Sequence, residues 1–74
     1  MIKLDLHNTS HADAKVKVDN FIFKNLNNLP LEIITGNSIK MIDIVKKIVN
    51  KHDLRMIPSH INNLGSYIIN LKVE

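Results

Sequence analysis

An acid and an imidazole stand two residues apart near the start of this chain, in the stretch Leu4-Asp5-Leu6-His7. Alternation of this kind puts both polar side chains on one side of an extended segment, about 7 Å apart at roughly 3.3–3.4 Å per residue. One substrate oxygen is then within reach of both. An imidazole with an ordinary pKa of about 6.5 can serve as a base at neutral pH. A carboxylate beside it has three uses: orienting the ring, acting as the base itself, or holding a divalent cation. The plain alternative is the solvated side of a half-buried strand.

A second group follows later in the chain, Thr35-Gly36-Asn37-Ser38, ahead of a helical pattern. A turn at a helix start offers free backbone N–H groups and the positive end of the helix dipole, which suits a phosphate. Lys40, on the first turn, adds a point charge. The Gly-Lys-Ser ending of a Walker loop is missing, so a nucleotide-triphosphate loop is not expected. The plain alternative here is a helix cap. His7 and His11 are four apart but straddle a strand-to-helix turn, so they do not form a helical ligand pair, and no metal site is expected of them. His52 and His60 are expected at the surface, at element ends. Glu32 begins the second strand and is expected to lie away from the Asp5–His7 end.

These groups need elements to position them. Residues 2–6 alternate apolar and polar, the period-2 sign of a strand with one buried face. Thr9 or Ser10 can cap a first helix, with Asp13 near its first turn. Ala14, Val18, Phe21, Ile22 and Leu26 then recur at helical spacing to about Asn27. Residues 31–35, between Pro30 and Gly36, read as a second strand. Asn37 or Ser38 caps a second helix buried through Met41, Ile42, Val45, Ile48 and Val49 and closed by His52-Asp53. Residues 54–61 and 66–73 read as two further strands, joined by a loop over 62–65 with Gly65 at positive φ.

The order is β-α-β-α-β-β. Right-handed crossovers put both helices on one face of the sheet. Pro58 cannot donate a ladder hydrogen bond, so the third strand belongs at an edge and the unbroken fourth strand in the middle. The expected fold is an α/β two-layer sandwich with a four-stranded mixed sheet in the order 1-2-4-3. In that layout Lys3, Asp5 and His7 face away from the helices, and the exits of strands 1 and 2 meet at one end. Open α/β sheets bind ligands at such carboxyl ends.

Composition narrows the function classes. A chain of 74 residues makes one small domain, and with no Cys it has neither disulfides nor thiolate metal sites. No apolar run approaches the ~20 residues of a membrane span, and no signal peptide is recognisable, so a cytoplasmic protein with no membrane partner is expected. Aromatics are only Phe21, Phe23 and Tyr67, too few for a base-stacking sheet. The formal net charge is +3, and Lys40, Lys46, Lys47, Lys51 and Arg55 against Asp43 and Asp53 account for all of it. A localised basic stripe is an electrostatic footprint for a polyanion, or simply a solvated helix face.

Over essentially its whole length the sequence resembles the Smr, or small MutS-related, domain family. The resemblance is carried by Leu4-Asp5-Leu6-His7-Asn8, by Asp13-Ala14 where the family has a Glu-Ala pair, and by Thr35-Gly36-Asn37-Ser38 where it has (His or Thr)-Gly-x-Gly. A basic helix, a Gly-containing loop and a last apolar strand, Leu64 to Leu71, follow as in the family. Asn8 replaces a Gly and can itself adopt positive φ. Ser38 replaces another, removing the closest backbone approach and adding a hydroxyl. Thr35 stands where some members carry a His, which leaves one fewer proton-transfer group.

The resemblance implies a fold similar to the C-terminal domain of bacterial translation initiation factor 3. It further implies an endonuclease that cleaves RNA or nicks DNA, with mRNA at stalled ribosomes among the family's substrates. Asp5 and His7 would be catalytic, and Thr35, Gly36, Asn37, Ser38, Lys40, Lys46 and Lys47 would contact nucleic acid. RNA carries its own nucleophile and needs no cofactor. DNA would require an activated water, with Mg²⁺ or Mn²⁺ held through Asp5. A monomer whose partners are nucleic acid and the ribosome is expected. The competing readings are a non-catalytic nucleic-acid or ribosome-binding module on the same surface, and a protein-interaction domain with a merely solvated basic helix.

Overall fold

The structure is a computed structural model and describes residues 1–73. Its elements run β1 (Lys3–Asp5), α1 (His11–Lys24), a 3₁₀ turn (Leu26–Asn28), β2 (Leu31–Ile34), α2 (Ile39–Lys51), β3 (Leu54–His60) and β4 (Asn63–Leu71). They form a four-stranded mixed sheet in the order β1-β2-β4-β3, with β1 parallel to β2 and the other pairs antiparallel. Order, strand count and helix count match the expectation. Pro58 lies on the edge strand, beside a register irregularity between Pro58 and His60.

One core joins both helices to one face of the sheet. Ala14, Val18 and Ile22 of α1, and Met41, Val45 and Val49 of α2, close over Leu31, Ile33, Leu54, Tyr67 and Ile69. Fully burying a side chain such as Ile22 or Ile69 contributes about 1.5–3 kcal/mol. The buried stripe of α2 includes Ile44, while Ile42 and Ile48 only flank the core. The alternate positions Lys3, Asp5, Glu32, Ile34, Ser66 and Ile68 point to the open face, as cross-strand register requires.

Several local details differ from the sequence reading. β1 has only three residues, although the amide of Leu6 donates to Ile34 O at 2.9 Å and that of Glu32 to Ile2 O at 3.0 Å, extending the pairing at both ends. α1 stops at Lys24 because Asn25 turns its side-chain amide back onto Phe21 O at 2.8 Å. Ser10 and Ser38 are the two N-caps, accepting from the amides of Asp13 and Met41. β4 begins at Asn63, three residues earlier than the pattern suggested, so Gly65 lies inside a strand. Among the described residues those in the left-handed region are Asn8 (φ 59), Gly36 (φ 68) and Asp53 (φ 58), and Gly65 is not one of them. Its lack of a side chain serves packing instead. A Cβ there would meet Gly36 C at 3.2 Å and Gly36 Cα at 3.3 Å.

Candidate functional site

The first strand ends in a tight turn. Asn8 adopts the left-handed conformation, and the amide of Thr9 donates to Leu6 O at 3.2 Å. This turn carries His7 out of the strand and folds it back over Asp5. Asp5 Oδ1 accepts the backbone amide of His7 at 2.9 Å and faces its ring Nδ1 at 2.6 Å. The carboxyl of Asp5 is held below the usual carboxylate range, first by that amide and then by the ring. An ionised carboxylate on Nδ1 fixes the tautomer with the proton on Nδ1, leaving the Nε2 lone pair free. That free nitrogen faces the Gly36 turn, 3.7 Å from where a Cβ on Gly36 would stand. Asp5 and His7 are therefore not two independent groups reaching for one oxygen. Asp5 is the orienting member, and His7 presents the reactive nitrogen.

The opposite wall comes from the second turn and from β4. The amides of Thr35 and Gly36 both donate to Gly65 O, at 2.9 and 3.0 Å, so a phosphate could use only the amides that follow them. Thr35 is buried, and its hydroxyl donates to Gly36 O at 2.7 Å. Thr35 and Ser38 thus shape the turn and the helix start: the Thr35 hydroxyl donates within the turn, and the Ser38 oxygen accepts from the helix. Between the two walls lies a shallow cleft of about 320 Å³, lined by His7, Ile34, Asn37 and Gly36 with Asn63, Gly65 and Ser66 of β4.

Glu32 lines the same cleft, contrary to the expectation that it lies elsewhere. The reason is a short strand and its register with β4. β2 has only four residues, and Glu32 lies on the open face one alternate position from Ile34, with Ser66 of β4 opposite Ile34 and bonded to Glu32. Glu32 accepts the hydroxyl of the buried Ser66, and Lys3 Nζ stands 3.9 Å from its other oxygen. Neither Glu32 nor Asn63 carried a local signal, because their approach to His7 depends on sheet register. Among the described residues no group of three or more His, Asp or Glu is arranged to hold a metal ion.

The basic residues occupy a different place. Lys40 and Lys47 line a groove of about 310 Å³ between α1 and α2, with Lys15, Lys51, Asp19 and Asp43. Residues seven apart share a helix face, and this face of α2 turns toward α1. Lys47 pairs with Asp43 at 3.0 Å, and Lys51 with Asp19 at 2.8 Å. Lys46 lines neither cavity. The expected convergence of Lys40 with the His7 cleft is not what its side chain does. His52 is also corrected: it is largely covered, with Nε2 at 2.7 Å from Asp19 Oδ1, whereas His60 is exposed at the end of β3.

Among the described residues no helix is long and apolar enough to cross a membrane. No family model, curated protein or solved structure matches this chain.

Proposed function

We propose that this chain is a Smr-like endonuclease that cleaves RNA in preference to DNA, with mRNA on ribosomes among its targets. One observation carries the reading: the Asp5–His7 pair leaves His7 Nε2 free and turned toward the cleft beside Gly36. In that position Nε2 takes the proton of a ribose 2′-OH as its oxygen attacks phosphorus. The bond from phosphorus to the 5′-oxygen breaks, and that oxygen takes a proton from water. The products are a 2′,3′-cyclic phosphate and a 5′-hydroxyl end. Asp5 offsets the charge gained by the imidazole, as a carboxylate on Nδ1 does for a histidine base. The amides from Asn37 onward, at the start of α2, suit a phosphate oxygen.

The separation of the lysine groove from the cleft favours the second reading, a module that binds nucleic acid without cutting it. Labelled RNA and DNA incubated with the protein, with and without EDTA, test the first reading against the second. Cleavage of RNA that persists in EDTA and is lost in His7→Ala, with binding retained, supports the nuclease. Binding without cleavage in the native protein supports the module.

A further inference from the structure

The β2–β4 side of the cleft, unlike the amides at the start of α2, is poorly built for phosphate. It carries Ile34 and the Glu32 carboxylate, whose charge disfavours an anion and is only partly offset by Lys3 Nζ at 3.9 Å. The same features suit a flat heterocycle with hydrogen-bond donors on its edge. Gly36 has no side chain on the cleft lining, so a ring can approach its backbone closely. Asn63 Oδ1 is tied to the amide of Gly65 at 2.9 Å, which leaves its Nδ2 group as the free donor. Ser66 donates to Glu32 and so fixes the carboxylate against the sheet.

We propose that this cleft holds one unpaired guanine base of the RNA next to the cut, read by Glu32 and Asn63. The proposal rests on the nuclease reading for its place in the reaction, although the base site itself does not require cleavage. Single-stranded RNA is read through the Watson–Crick edges of splayed bases. Guanine has two adjacent donors there, N1–H and the N2 amino group, which match the two oxygens of one carboxylate. Its O6 accepts from Asn63 Nδ2. Uracil offers one donor between two acceptors. Adenine and cytosine place a ring-nitrogen acceptor against the carboxylate. Each of these three leaves a lone pair facing Glu32. The occupant is a guanine carried by an RNA strand, or equally a free guanosine, and the two sources are separable by experiment.

The test records amide NMR spectra of the protein with guanosine, inosine, adenosine, cytidine or uridine added, none of which has a phosphodiester. Guanosine is expected to shift the amides of Glu32, Asn63, Gly65 and Ser66. Inosine lacks the N2 amino group and should bind about 10-fold or more weakly, the worth of a lost bidentate contact. Glu32→Gln, which keeps an acceptor for Ser66, should erase the difference between guanosine and inosine. The same nucleotides placed 5′ of the cut in a short RNA form the second arm. Guanosine-specific shifts without any RNA cleavage would uphold the base site and overturn the nuclease. Cleavage with no base preference and no guanosine shifts would uphold the nuclease and overturn the base site. Equal shifts with every nucleoside would also overturn it.

Discussion

The two cavities of this small protein differ in how their charges are arranged. In the cleft at the sheet end, Asp5 holds an exposed imidazole so that one nitrogen stays free, and Glu32 stands close by. In the groove between the helices, Asp19 and Asp43 pair with Lys51 and Lys47, while Lys15 and Lys40 line the walls beside them. One cavity keeps a base available, and the other gathers cations. The basic stripe in the sequence and the Asp5–His7 pair therefore belong to different cavities. On the proposed reading, attraction of a polyanion and reaction with it fall to different cavities of the fold.

The sharpest way to break this division is at His7. His7→Ala should lower RNA cleavage by about 10²–10⁴, the usual worth of a general base, with little change in thermal stability because the ring is exposed. Asp5→Asn should also cause a large loss, since the ring remains but loses its fixed Nδ1–H tautomer and the carboxylate that offsets its charge. Equal and complete loss in both, with unfolding, would make the pair structural.

The junction between the turn and the sheet comes next in size. Gly65→Ala places a Cβ against Gly36 backbone at 3.2 and 3.3 Å and against Asn63 Oδ1 at 3.3 Å. Overpacking of this kind costs about 1–3 kcal/mol. Denaturant melts should show that loss, and a neutral result would mean that the two loops have room to separate.

The groove is tested by charge removal. Lys15→Ala with Lys40→Ala should weaken RNA binding alike for different sequences, because lysine–phosphate contacts carry no base information. Each lost contact should flatten the plot of log affinity against log salt by roughly 0.7 for a single strand. Lys46→Ala, outside both cavities, is the control and should change the slope less. An unchanged slope in the double variant would reduce the groove to a solvated face.

The smallest effect concerns the tie between the helices. Lys51 first, and His52 second, lower the carboxyl pKa of Asp19 on α1. A carboxylate whose folded pKa is depressed contributes stability above its unfolded value and loses it as pH falls through the folded one. Stability should therefore decline on acidification below the usual carboxylate range, and Asp19→Asn should show a shallower decline. Identical acid profiles in the two proteins would remove Asp19 from the account.

The fold was legible because its signals are local and periodic. Alternation in residues 2–6, helical spacing around Val18 and Val45, and a proline in the third strand suffice for the order 1-2-4-3. Asp5 and His7 were legible as a pair, but not the turn at Asn8 that folds one onto the other. Glu32, Asn63 and the packing role of Gly65 were not legible, because they depend on strand lengths and on register between distant segments. Lys40 misled for a related reason. Its place on the first turn of α2 is local, whereas the direction of its side chain is set by how α2 packs on α1.

The central claim is that His7 draws a proton from the substrate's own 2′-OH. Its most direct test is cleavage, in EDTA, of an RNA whose nucleotide 5′ of the cut is 2′-deoxy. The account predicts that this strand stays intact while the all-ribose strand is cut to a 2′,3′-cyclic phosphate end. Cleavage of the deoxy-substituted strand at full rate would contradict it.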